Sequence, residues 1–329
     1  MSAERFNSDL FLTTSQVADL LDVHGSTVKR WCNEGELAFE KTGGGHRRIH
    51  LSDALALARA RDIPTFLAPF APYEGHVWSA VGEAADAGSF QRVHALAMGW
   101  LMRGRVERLG NLFLELARHP RIPFSRFADD AVGGFMRQIG DAWRSGQLRV
   151  GEEHMLSERI IEVLHRHRSE VRVPVDAPAG AAPAGGSPAG GPPAGGAGRA
   201  VVGSMEGVRH SLGALCVRLG LERLGWEVVY LGADVPVEDF AAMQVAREAS
   251  LVAVSFAPPG AGADMKRCVR ILAEFYQRER PYALALGGQV DDEPDFSGLA
   301  LPFSDFGAFT TLAGLEAALA DGFGRRVAA

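Results

Sequence analysis

The sequence is poor in cysteine, carries no excess of positive charge and has no long apolar run. Its three cysteines, Cys32, Cys216 and Cys268, are far apart and odd in number. That excludes a disulfide framework or a zinc knuckle and fits a reducing compartment. The formal net charge is -6 over 329 residues, so the chain is not a basic coat for nucleic acid, and any contact with DNA must come from a local patch. No strongly apolar stretch approaches the ~20 residues that a bilayer span requires, and the first residues carry no apolar signal core. The expectation is a cytoplasmic protein without a membrane partner. What is present is an ordinary globular balance, 47% hydrophobic and 22% charged, over a length that suits two or three domains.

The plainest boundary is compositional. Of the 26 residues from 174 to 199, 22 are Pro, Gly or Ala. Such a stretch has few side chains to bury and cannot offset its ordering entropy, so it reads as a mobile linker with roughly 28 Å of reach. Four pieces follow: a compact unit over 1–62, a helical bundle over 68–172, the linker over 173–199, and a C-terminal domain over 200–329. Apolar spacing near 3.6 predicts helices over 75–87, 90–103, 105–118, 125–142 and 151–172, with Gly, Pro or Ser between them. The last piece shows short apolar runs, AVVGSM, WEVVYLG, LVAVSFA and YALALGG, separated by helix-length segments. That alternation predicts a doubly wound α/β sheet. The expected fold class is therefore multidomain: an all-α winged helix-turn-helix, a four-helix bundle, and a flavodoxin- or Rossmann-like α/β domain.

The segment TTSQVADLLDVHGSTVKRWCNEGEL predicts two short helices joined by a turn through Asp22–Gly25. Thr14 or Ser15 is the expected cap of the first, with Val17, Leu20 and Leu21 inward. Ser26 is the expected cap of the second, with Val28 and Trp31 inward. Ser26, Thr27, Lys29 and Arg30 are left outside, a set of hydroxyls and cations at a helix N-terminus that suits a major groove and its phosphates. Then KTGGGHRRIH permits a sharp hairpin with Lys41, Thr42, His46, Arg47 and Arg48 around its tip. Charge alone does not separate this from a solvated surface, because residues 29–48 net only +2. The order of these motifs resembles the winged helix-turn-helix of the MerR and excisionase-type families. The resemblance implies double-stranded operator DNA as partner, with dimerisation supplying affinity.

In the C-terminal piece His210 and Gly213 stand as H-x-x-G just after a strand run. Ser255 follows after 41 intervening residues, at the end of LVAVS, and Gly287 and Gly288 close YALALGG. All lie at the carboxyl ends of strands, where open α/β sheets bind ligands. An isolated histidine of this kind is ordinarily a satisfied turn residue. The set together resembles the cobalamin-binding domain shared by methionine synthase, several mutases and certain regulators. That resemblance implies His210 as lower ligand to cobalt, Ser255 bonded to the displaced tail base, and Gly213, Gly287 and Gly288 leaving room for the tail. The family's acidic residue two before the histidine is here Val208, with Glu206 four before, and Ala257 stands where the second motif has Leu, Val or Thr.

Upstream, Trp143 ends one helix pattern, and Glu153 and His154 follow in the first turn of the next, as W-x9-E-H. Separately, these are a core Trp and a helix-terminal charge pair. Before a cobalamin-like domain they resemble the CarH and LitR group of cobalamin-dependent photoreceptor repressors. The resemblance implies adenosylcobalamin as cofactor, Trp143 over its upper ligand, Val150 in the same pocket, Glu153 bonded to the adenosyl group, and His154 as upper cobalt ligand after photolysis. It also implies a dimer or tetramer that binds DNA in the dark and releases it in light. With the linker between them, cap and cradle are expected to meet only through the cofactor. The expectation is a regulator and not an enzyme. Three readings stay open beside it: a light-independent sensor of cobalamin or another tetrapyrrole, a cofactor-independent regulator of the same fold, and a corrinoid methyltransferase carrier.

Overall fold

A computed structural model describes residues 9–171, 198–257, 261–289, 294–299 and 301–324. It divides into two compact units, Met1–Ile122 and Pro123–Ala329. The expected linker lies outside the described residues except for Gly198 and Arg199, and Arg199 already begins a strand. The unit boundary also falls inside the segment expected to form one bundle. Among the described residues, no helix is long and apolar enough to cross a membrane.

The first unit opens with β1 (Phe11–Thr13), α1 (Thr14–Leu21), α2 (Gly25–Asn33), β2 (Glu40–Lys41), β3 (Arg47–His50) and α3 (Leu51–Ala60). The expectation of an all-α reader is corrected here: β1 and β2 both pair antiparallel with β3, giving a small sheet in the order β1-β3-β2. A three-residue strand leaves too short an alternation to be legible in a sequence. The caps also differ. Thr13, not Thr14 or Ser15, caps α1 in a reciprocal capping box with Gln16. Asp22 ends α1 in the left-handed conformation (φ 51°), its N–H donating to the Ala18 carbonyl. His24, not Ser26, caps α2: its Nδ1 accepts from the Ser26 N–H at 3.2 Å. Val17, Leu20, Leu21, Val28 and Trp31 are buried as their spacing predicts. Helices α4 (Glu74–Ala87), α5 (Gln91–Leu101) and α6 (Val106–Arg118) complete this unit.

The second unit starts with one helical turn at Phe124–Arg126. It widens into a π-helical segment, Phe127–Val132, and continues as α7 (Gly133–Arg144) and then α8 (Val150–Val171). The α/β part follows: β4 (Arg199–Met205), α9 (Leu212–Arg223), β5 (Glu227–Val235), α10 (Val237–Arg247), β6 (Leu251–Phe256), α11 (Ala261–Glu274), β7 (Ala283–Gly288), β8 (Phe306–Phe309) and α12 (Leu312–Ala320). The strands are all parallel in the order β5-β4-β6-β7-β8, the doubly wound topology in which a crevice opens at the strand ends beside the first strand.

Alternation along the strands makes the two faces of this sheet different. One register row, Val201, Val252 and Leu284, is buried in a core closed by Phe240 of α10 and Val269 and Leu272 of α11. The next row, Val202, Ala253 and Ala285, puts smaller side chains on the opposite face, where α9 packs.

Helix α8 is fastened to α9 by charge. Arg168 donates both Nε and Nη2 to the Glu222 carboxylate at 2.6 and 2.7 Å, and Arg218 adds a third contact at 3.0 Å. Burial opposes the charge on Glu222, but the bonds from Arg168 and Arg218 outweigh it and hold its carboxyl below the usual carboxylate range. A depressed carboxyl stabilises the fold above its unfolded pKa and loses that contribution as pH falls through the folded value. Acidification is therefore expected to loosen α8 from α9 at pH values below the ordinary glutamate range. Hydrogen exchange of α8 amides against pH measures this, and a Glu222→Gln chain should show a flatter profile.

Candidate functional site

The crevice predicted by the topology is a cavity of about 780 Å³ within the second unit. Three strand ends form its floor. Ser204 of β4, Ser255 of β6 and Gly287 of β7 stand side by side in register, and Phe309 of β8 follows. The motif spacing thus corresponds to one row across the sheet. Below that row the small side chains of Ala253 and Ala285 line the same space.

The glycines are required by contact. A Cβ on Gly213 would lie 2.9 Å from the Ser255 Oγ. Gly288 holds φ at 136°, and a Cβ there would lie 2.1 Å from the Phe256 carbonyl oxygen. Gly287 is looser, 3.5 Å from the Phe309 carbonyl oxygen. At the first two positions a side chain would collide, on Gly213 with the lining Ser255 hydroxyl and on Gly288 with the backbone of β6.

His210 sits in the loop between β4 and α9 and lines the cavity. Ser204, fully buried, donates its hydroxyl to the His210 carbonyl at 3.1 Å. Glu206 does not serve the ring, because it forms an ion pair with Arg267 of α11. Val208 is buried and apolar. The cavity wall also includes Cys216, whose burial pushes its thiol up to about 12. Among the described residues, no group of three or more His, Cys, Asp or Glu could hold a metal ion.

The other wall comes from α7 and α8. Gly133, Met136, Arg137, Gly140, Trp143 and Arg144 lie along one stripe of α7 at helical spacing and face the cavity. Trp143 is half exposed, unlike the buried core tryptophans Trp31, Trp100 and Trp226. Glu153 also lines the cavity and accepts from the Ser157 hydroxyl at 2.7 Å. Of the nine residues expected around a cofactor, Trp143, Glu153, His210, Gly213, Ser255, Gly287 and Gly288 are brought together. Val150 and His154 are not among the lining residues: both are exposed, and His154 lies 3.5 Å from the outer oxygen of Glu153.

Sequence reasoning missed the residue that joins the two walls. Asp129, on the π-helical segment, accepts the N–H groups of Leu312 and Ala313 at 2.7 and 2.9 Å. These are orphan donors at the N-terminus of α12, where a carboxylate is favoured by hydrogen bonding and by the helix dipole. Thr311 caps the same helix by accepting from Gly314. With the Arg168–Glu222 fork, this contact corrects the expectation that only a ligand brings cap and cradle together. Protein contacts join them.

In the first unit the expected DNA-contacting set divides by engagement. Lys29, Arg30, Lys41 and His46 are exposed. Ser26 is exposed, but its hydroxyl lies 2.7 Å from the His24 Nδ1, and Thr27 is half-buried. Thr42 accepts from the His46 N–H and closes the hairpin tip, where Gly45 takes φ 80°. Arg47 donates to Asn33 at 2.7 Å, and Arg48 lies over the Phe11 ring at 4.1 Å. These two arginines brace the wing against α2 and β1.

Comparison with known proteins is consistent with this geometry. Residues 11–62 match the helix-turn-helix domain family, residues 198–310 a B12 binding domain, and residues 98–166 a second B12 binding domain. A helix-turn-helix match thus precedes two B12 binding domain matches in one chain. It is 25% identical over 164 residues to the HTH-type transcriptional repressor CarH of Myxococcus xanthus, covering 49% of this chain and 46% of that protein. It is 52% identical over 50 residues to an uncharacterized protein of Mycobacterium tuberculosis, covering 15% of this chain and 43% of that one. The chain therefore spans less than half the length of these curated relatives. In fold it is similar to the monomethylamine corrinoid protein of Methanosarcina barkeri, with a TM-score of 0.50 and 15% identity, covering 68% of this chain and 95% of that one.

Asp129→Ala removes both carboxylate bonds to α12 and is expected to cost the second unit about 1–3 kcal/mol. Asp129→Asn should retain part of that. Urea unfolding of the two variants checks the difference.

Proposed function

We propose that this protein is a cobalamin-dependent transcriptional repressor that senses light through adenosylcobalamin. One observation carries the reading. A single cavity has His210, Ser255 and the spaced glycines on one wall and Trp143 with Glu153 on the other, in a chain that also bears a helix-turn-helix domain. The residues fit the group: the crevice is lined by Gly213 and Gly288, where a Cβ would collide, and imidazole is a suitable donor for its metal. Residues 68–172 act as the cap and 200–329 as the cradle.

When bound, adenosylcobalamin supplies a cobalt–carbon bond that light can break. The chain does the rest. His210 would hold the metal. Ser255, Gly213, Gly287 and Gly288 receive the nucleotide tail. Trp143 would cover the group and exclude water, and Glu153, already fixed by Ser157, would offer it a carboxylate oxygen. Val150 and His154 are not among the lining residues, so His154 would reach the group only if α8 moved. Differential affinity of cap and cradle for the two cofactor states sets the oligomer, and the oligomer sets how many readers bind an operator at once. Lys29, Arg30, Lys41 and His46 contact duplex DNA, with Ser26, Thr27, Thr42, Arg47 and Arg48 around them.

Full-length protein loaded with adenosylcobalamin in the dark should bind duplexes selected from a random pool. Green light should lower that affinity at least tenfold and reduce the oligomeric size. Trp143→Ala should weaken retention of adenosylcobalamin more than of hydroxocobalamin. Unchanged size and affinity on illumination would reject light sensing and leave a light-independent cobalamin regulator.

A further inference from the structure

A metal-ligating imidazole is ordinarily held by a hydrogen bond to its second ring nitrogen, which fixes both tautomer and orientation. Among the described residues, no side chain hydrogen-bonds the His210 ring. The position two before it is the buried Val208, and Glu206 is committed to Arg267. The placement of His210 must therefore come from its main chain.

The loop that carries it is pinned from the neighbouring strand. Asp234, near the end of β5, lies in the left-handed region at φ 58°. Its Oδ1 accepts the Gly207 N–H at 2.7 Å, and its own N–H donates to the Val208 carbonyl at 3.1 Å. Gly207 itself turns at φ 82°, and the Val208 N–H closes back on the Met205 carbonyl at 3.0 Å. At the far end of the loop, Ser204 holds the His210 carbonyl. A carboxylate acceptor makes a stronger bond to a backbone N–H than a neutral one does, and asparagine and aspartate tolerate the left-handed backbone better than other side chains.

We propose that Asp234 is a positioning residue for His210. It fixes, through the Gly207–Val208 backbone, the loop conformation that presents the imidazole to the cavity. It thereby substitutes for the ring-bound carboxylate that Val208 cannot supply. This inference rests on the cobalamin reading above. It also implies that the ring, held only through its backbone, is not polarised by a carboxylate partner.

The test compares full-length wild type, His210→Ala, Asp234→Gly and Asp234→Asn. Glycine removes the carboxylate while accepting the left-handed backbone, so the fold is not strained. Asparagine keeps an oxygen acceptor for Gly207. Each protein is loaded with hydroxocobalamin, its visible spectrum is recorded, and exchange of the Gly207 amide is measured on the same chains. The expected result is a cobalt band in Asp234→Gly displaced toward that of His210→Ala, with Gly207 exchanging at least tenfold faster and the far-ultraviolet dichroism unchanged. Asp234→Asn should stay near wild type in both readouts. A wild-type spectrum in Asp234→Gly despite faster Gly207 exchange would overturn the proposal while leaving the cobalamin reading intact. Identical spectra in wild type and His210→Ala, or no uptake by wild type, would overturn that reading and this inference with it.

Discussion

The second unit depends on a carboxylate placed against a helix end. Asp129 meets two unpaired N–H groups of α12, and Arg168 grips Glu222 of α9 from α8. These contacts tie the helical wall of the cavity to the α/β wall. Each relies on a few directional bonds at partly exposed positions, beside the buried Phe124–His167 stack. A helix that widens to the π form at the residue making the first contact fits this arrangement, since such segments re-aim side chains at functional sites.

Much of this was legible in the sequence. Helix positions followed from Gly, Pro and Ser punctuation, and the strand runs stood out because buried parallel strands are apolar throughout. The H-x-x-G, Ser255 and Gly-Gly signals turned out to be neighbours because parallel strands in register bring together residues far apart in the chain. What was not legible has physical causes. Asp129 lies on a helix that departs from the 3.6 period, so no spacing rule points to it. His24 competes with Ser26 for the cap because an imidazole nitrogen can accept the same N–H, a choice that composition does not decide. β1 is three residues long and takes its pairing from β3.

Val150 and His154 matched the same pattern; both are exposed in the first turns of α8 and are not among the lining residues, while Glu153 lines the cavity and is held by Ser157. Adjacent positions on a helix point about 100° apart, so Glu153 and His154 do not share one wall. In the reader, Arg47 and Arg48 likewise share a motif but are braced on Asn33 and Phe11, whereas Lys29 and Lys41 extend into solvent.

Cys216 gives the cavity a chemical preference. Sulfur is the softer donor and would compete with imidazole for a metal such as cobalt, but only as the thiolate. Enclosed by α9 and near the Asp129 charge, this thiol is pushed up to about 12 and stays protonated at neutral pH. The wall therefore carries a sulfur atom kept as the neutral thiol, and burial sets that state before any ligand enters.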